Sequence, residues 1–331
     1  MFDTMTLDEM YRYRGKREVP ADFDQFWDEE LAKVDSIPTY QLIEKTFAIP
    51  NCHCYELWFD GTNEAKVFAK VVKPANQDNV PVLFYFHGYQ GSSPDWSQCL
   101  NYVAAGFAVV CMDVRGQSGR SIDQLQVKGN TVKGQIIRGA IEGRDQLFFK
   151  DVYLDCYQLV NIIAQLDWVD EKSLMTYGAS QGGALAVVTG ALNPKILRVA
   201  TIYPFLSDYA RVLELGDKQE AYNELFRYFK FFDPYHETEA QLLDTLAYID
   251  VKNLAHRIKV PVQMHVSLQD DVCPPSTQFA IYNRIESEKE VHVLREYSHE
   301  GLNVLVNDVV FNWLVATDIE VSKTKGLYNY E

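Results

Sequence analysis

Five residues near the middle of the chain, Gly178-Ala179-Ser180-Gln181-Gly182, set a serine between two glycines in the spacing G-x-S-x-G. A serine hydroxyl is a weak nucleophile until a base takes its proton, so the pattern carries chemistry only with a histidine and an acid behind it. Where a strand enters such a motif and a helix leaves it, the serine stands on a strained turn. The glycines then give the helix room beside the neighbouring strands. That setting is present: the apolar run "SLMTYG" (173–178) precedes the motif, and "QGGALAVVTGAL" (181–192) follows as an apolar, buried helix. The bland alternative, an inert serine in a tight connection, needs no partners at all.

On an elbow of this kind the partners follow in the chain order acid, then histidine. Of the seven histidines, His292 and His299 lie late enough. His292 alternates within "VHVLREY" and reads as packing or surface, whereas His299 falls just past that strand in "EYSHEGLN", where a base belongs. The acid should follow the preceding strand, in "VPVQMHVSLQDDVCPP", and Asp270 and Asp271 both satisfy position. Order alone does not choose between them. Charge on a tetrahedral intermediate needs two N–H donors, one directly after the nucleophile and one from a loop after an early strand. Gln181 supplies the first, and "FYFHGYQGSS" supplies the second at Tyr89, with His87 bracing the loop. Arg115 and Gln117, in "MDVRGQSGRS", read as side chains bonding loop backbones close by.

These residues require a scaffold that brings strand ends together. From about residue 42 short apolar strands alternate with amphipathic helices, which predicts a mostly parallel sheet with helices on both faces. Strands are expected at 80–88, 107–114, 173–178, 197–204, 260–268 and 290–297, each apolar on both faces. Before them "CYELWFDGTNEAKVFAKVVKP" reads as an antiparallel pair closed at Asp60-Gly61. Val152, Cys156, Leu159, Val160 and Ile163 recur at helical spacing, with Asp151 and Asp155 near the start of that helix. The aromatic-rich helical stretch at about 205–257 is too long for a simple crossover and is expected to cap one end of the sheet. Residues 1–40, with a helix in "ADFDQFWDEELAKV", read as an extension serving subunit contacts within one domain of 331 residues.

Composition narrows the partners. With 31 basic and 46 acidic residues the net charge is −15, which repels nucleic acid and anionic membranes. No run approaches the roughly 18 apolar residues of a membrane span, and the charged N-terminus lacks the apolar stretch of a signal peptide. Six scattered cysteines suit reduced, buried thiols in the cytoplasm. Cys52-His53-Cys54 lies in a strand, where alternation sends His53 to the opposite face, so no metal site is expected there.

Together these motifs resemble those of the acetyl xylan esterase and cephalosporin C deacetylase family, carbohydrate esterase family seven, within the α/β-hydrolase superfamily. Arg115-Gly116-Gln117, Gly178-Ala179-Ser180-Gln181-Gly182 and His299-Glu300 are the three marks, and "FFKDVYLDC", "FDPYHETEAQLLDTLAYIDVKNLAHRIKVPV" and "EKEVHVLREYSHE" extend the likeness over nearly the whole chain. The resemblance implies Asp270 as the acid, with Ser267 and Gln269 departing from the family's usual glycine and apolar residue beside it. It implies a Ser180–His299–Asp270 triad, Arg115, Gln117 and Glu300 as structural neighbours, and no cofactor or metal. It also implies a serine esterase that removes small acyl groups, chiefly acetyl, from sugars or cephalosporin-like alcohols, assembled as a hexamer. Two rivals are a small serine peptidase, which such folds usually pair with a repeat-built propeller missing here, and a non-catalytic binding protein, which predicts a lost triad member.

Overall fold

A computed structural model describes residues 3–127, 134–216, 221–302 and 304–316. Its strands are β1 (Tyr40–Lys45), β2 (Cys52–Asp60), β3 (Lys66–Pro74), β4 (Val80–Phe86), β5 (Ala108–Met112), β6 (Val169–Ala179), β7 (Ile196–Ile202), β8 (Val262–Ser267) and β9 (Lys289–Leu294). They form one sheet in the order β1-β2-β3-β5-β4-β6-β7-β8-β9. From β5 to β9 every neighbouring pair is parallel, and β1, β2 and β3 add an antiparallel flank. Alternation along the central strands feeds two apolar cores. Val82, Phe84 and Phe86 of β4 enter one with Val110, while Leu83 enters the other with Val109 and Cys111. Strands buried on both faces lose the polar alternation of a half-exposed sheet, which is why β4 and β5 read as continuous apolar runs.

Three features differ from the sequence reading. β1 is an extra edge strand, paired from Tyr40↔Phe59 to Lys45↔Cys54, in which the exposed Gln41, Glu44 and Lys45 break up the short apolar signal of Tyr40, Leu42 and Ile43. The helix Phe148–Ala164 starts ahead of Asp151 and buries both Asp151 and Asp155, because a buried arginine faces them. The N-terminal segment also contributes to the main core instead of standing apart from it. Its helix Phe23–Lys33 inserts Phe23, Phe26 and Trp27 into that core, and the Trp27 indole donates to the Tyr248 carbonyl at 3.0 Å. Asp3 pairs with Arg211 at 2.8 Å and accepts the Ser276 N–H at 2.8 Å, and Asn283 donates to the Met10 and Tyr13 carbonyls.

Between β7 and β8 lie the helices Tyr209–Leu215, Asn223–Phe232, Glu239–Leu246 and Val251–Leu254. Residues 217–220 of the expected capping stretch lie outside the described residues. Asn223–Phe232 turns Leu225, Tyr228 and Phe229 inward and, less usually, Glu224. None of the six cysteines, all described, forms a disulfide, and His53 pairs with Glu44 while Cys54 is buried in the second core. Among the described residues no helix is long and apolar enough to cross a membrane.

Candidate active site

Ser180 links the end of β6 to the helix Gln181–Leu192, with φ 58° and ψ −122°. That backbone region costs an L-residue on the order of 1–3 kcal/mol, so neighbours must impose it. They do: the Ser180 N–H donates to the Ile202 carbonyl at 3.0 Å, and the Phe205 N–H donates to the Ser180 carbonyl at 3.1 Å. The flanking glycines are needed for close approach. A Cβ on Gly178 would collide with the backbone of Gly182, and a Cβ on Gly182 would collide with the Phe86 carbonyl at the end of β4.

The hydroxyl meets its expected base. His299 Nε2 lies 3.0 Å from Ser180 Oγ, and His299 Nδ1 lies 3.0 Å from Asp270 Oδ2. Asp270 is fully buried in the turn after β8, where Oδ1 accepts the N–H groups of Val272 and Cys273 at 2.9 and 2.8 Å. Gln278 Nε2 donates to Oδ2 at 3.2 Å, so four donors surround the carboxylate. Asp271 instead faces Ser298, whose hydroxyl donates to it at 3.4 Å. The Tyr203 ring packs 4.6 Å from the His299 ring, and its hydroxyl donates to the Glu300 carbonyl at 3.1 Å. Asp270, Cys273 and His299 also place three metal-type ligand atoms within 4.8 Å of one another. The Asp270 oxygens and both His299 nitrogens are already engaged, which makes this donor set a poor fit for an ion.

Gln181 opens its helix, a position whose N–H has no intrahelical acceptor. Its side chain exchanges hydrogen bonds with Gln117, at 2.7 Å and 3.0 Å. The turn after β4 lies alongside, with His87 donating from Nδ1 to the Gly88 carbonyl at 2.8 Å and accepting the Val114 N–H on Nε2 at 3.0 Å. Burial lowers the His87 pKa, consistent with a neutral brace. The Tyr89 N–H makes no backbone hydrogen bond among the described residues, and its hydroxyl donates to Glu224 at 2.9 Å.

A model of the acetyl xylan esterase family matches residues 1–317. The chain belongs to the acetyl xylan esterase family. Acetyl xylan esterase 1 from Thermoanaerobacterium sp. JW/SL YS485 superposes with a TM-score of 0.90 at 44% identity, over 94% of this chain and 98% of that one. The acetyl xylan esterase from Paenibacillus sp. R4 gives 0.89 at 30% identity, over 94% and 99%. Acetyl esterase Axe7A of Xylanibacter ruminicola is 29% identical over 82% of this chain, which spans 61% of that relative's length. The fold shared with these acetyl xylan esterases is the α/β-hydrolase fold.

In this member of the family the Arg115-Gly116-Gln117 motif divides its work, and not as loop bracing alone. Arg115 is fully buried and grips Asp155 with two bonds of 2.7 and 2.6 Å, with Asp151 at 3.6 Å and Asp123 at 3.8 Å. Among the described residues its one backbone partner is the Thr62 carbonyl at 3.0 Å. Carboxylates win over loop carbonyls because a buried guanidinium needs a counter-charge. Gln117 bonds side chains as well, donating to Gln135 Oε1 at 2.7 Å besides its exchange with Gln181. Glu300 lies exposed and contributes its carbonyl to Tyr203. Gln135, Tyr203, Glu224 and Gln278 escaped the sequence reading, since none sits in a motif with a spacing of its own.

Proposed function

We propose that this chain is a serine esterase that removes small acyl groups, acetyl above all, from acetylated sugars, xylo-oligosaccharides or cephalosporin C. The observation that carries the reading is the pair of 3.0 Å contacts from Ser180 to His299 and from His299 to Asp270, on a strained elbow. Ser180 Oγ attacks the ester carbonyl as His299 Nε2 takes its proton. Asp270 keeps the Nδ1–H tautomer and stabilises the imidazolium that forms. The N–H groups of Tyr89 and Gln181 receive the oxyanion. His299 returns the proton to the leaving alcohol, then activates water, and acetate departs from Ser180. The balance needs ester and water alone.

A preference for short acyl chains is supported by aromatic crowding: Tyr203 packs on His299, and the rings of Tyr89 and Phe205 meet at 5.4 Å beside the elbow. We read the helices at about 205–257 as a cap over this end of the sheet and residues 1–40 as an N-terminal extension bound to it. The family resemblance supports a hexamer, and the composition supports a cytoplasmic location.

The test is hydrolysis of p-nitrophenyl acetate, butyrate and octanoate by wild type and Ser180→Ala. Acetate is cleaved fastest, and the variant loses about 10⁶ in kcat. Fastest cleavage of octanoate would refute the acetyl preference, and an equally active variant would refute Ser180 as nucleophile.

A further inference from the structure

One buried carboxylate has no part in this mechanism. Glu224, second residue of the helix Asn223–Phe232, is 3% exposed. Its Oε1 accepts the Tyr89 hydroxyl at 2.9 Å and the Gln135 N–H at 3.0 Å, and its Oε2 accepts the Ile137 N–H at 2.9 Å. Gly134, at φ +111°, makes the room: a Cβ there would strike the carboxylate. Gln135 carries the connection onward. Its Nε2 donates to the Gly116 carbonyl at 2.8 Å, its Oε1 accepts from Gln117 at 2.7 Å, and Gln117 bonds Gln181 at 2.7 Å. One run of hydrogen bonds therefore joins Glu224 to both residues whose N–H groups are proposed above to receive the oxyanion.

We propose that Glu224 is a positioning residue for the oxyanion hole, holding the Tyr89 turn directly and Gln181 through Gln135 and Gln117. The proposal rests on the esterase reading above. Donors stabilise a developing oxyanion only when they need no rearrangement as charge appears. Tyr89 sits on a tight turn after β4, and the bond from its phenol to Glu224 anchors the far end of that residue. A phenol and backbone N–H groups of the Gln135–Ile137 stretch, with no basic partner among the described residues, hold the carboxylate. Burying it so costs more than an apolar side chain would, and the bonds it accepts are what the cost secures.

The test compares Glu224→Gln, Glu224→Asp, Tyr89→Phe and the Tyr89→Phe/Glu224→Gln double variant on p-nitrophenyl acetate. Rates are normalised to active sites counted by the p-nitrophenolate burst with paraoxon, which removes misfolded protein from the comparison. Glu224→Gln presents an amide N–H to a backbone or phenol donor and lowers kcat per site by roughly 10- to 100-fold, with KM within about threefold. Glu224→Asp, which keeps the carboxylate, recovers part of the loss. Tyr89→Phe, which leaves the backbone N–H intact, loses kcat in the same manner, and the double variant loses far less than the product of the single losses. Wild-type kcat per site in Glu224→Gln or in Tyr89→Phe, or losses that multiply, would overturn the proposal. A wild type that gives no burst, or a Ser180→Ala variant that gives one, would instead remove the serine reading beneath it.

Discussion

The two arms of the site are built in different ways. The acid–base arm consists of three side chains from the ends of β6, β8 and β9, joined by two direct contacts of 3.0 Å. The proposed oxyanion arm consists of the backbone N–H groups of Tyr89 and Gln181, joined through amide, phenol and carboxylate side chains of Tyr89, Gln117, Gln135, Gln181 and Glu224. In the proposed mechanism strand ends position the groups that exchange protons, and a hydrogen-bond mesh positions the groups that receive charge. A change in the first arm should be close to all-or-none, because only two contacts join its three side chains. A change in the second should be graded, because several bonds share the task.

The sharpest way to break this contrast is Asp270→Asn. The amide keeps the shape of the turn but offers N–H where His299 needs an acceptor, which inverts the tautomer. A fall of about 10⁴ in kcat per titrated site is expected, with folding retained. A loss of only tenfold would mean that the acid–base arm is as graded as the other.

Arg115→Met sharpens the comparison by falling outside both arms. Removing the guanidinium strands Asp155, whose pKa burial already raises to about 6, and takes one of two cations from Asp151 and from Asp123, which keep Lys150 and Arg138. A loss of about 3–5 kcal/mol in denaturant unfolding follows, with kcat per active site unchanged. Intact stability with reduced kcat would move Arg115 into the oxyanion arm.

The smallest effect is read in pH. Burial raises the Glu224 pKa from 4.5 to about 7 in the folded chain, with Tyr89 and Tyr209 the titratable groups facing it. A carboxyl whose folded value is raised adds stability that is complete below its unfolded value and is lost as pH climbs through the folded one. The Tm of wild type relative to Glu224→Gln should therefore fall as pH rises from 4.5 to about 7. Asp155 titrates alike in both proteins and cancels. A constant difference in scanning calorimetry would show Glu224 ionised throughout that range.

Sequence made the acid–base arm legible because its members occupy motifs whose order is fixed by a strand–turn–helix repeat. Asp270 and Asp271 stayed equivalent on position, since adjacent residues in one turn differ only in where each points, and the family resemblance separated them. The oxyanion mesh was legible only at Tyr89, Gln117 and Gln181. Glu224 reads as an ordinary acidic residue in the first turn of an amphipathic helix, and only the arrival of Gly134 and Tyr89 buries it. Asp151 and Asp155 misled for the same reason, as helix-start acids whose counter-charge lies in another segment. The short β1 edge sets Leu42 and Ile43 side by side among Gln41, Glu44 and Lys45, which breaks any regular apolar period.

The clasp at the start of the chain has a consequence for biosynthesis. Asp3 meets the Ser276 N–H, and Met10 meets Asn283, each across 273 residues. At about 5–20 residues per second a ribosome needs tens of seconds to supply those partners. Residues that precede their partners by this distance are thus seated late. Until Tyr153 and Tyr248, which pack on them, have been made, Phe23, Phe26 and Trp27 of the main core lie open to chaperones or to neighbouring nascent chains.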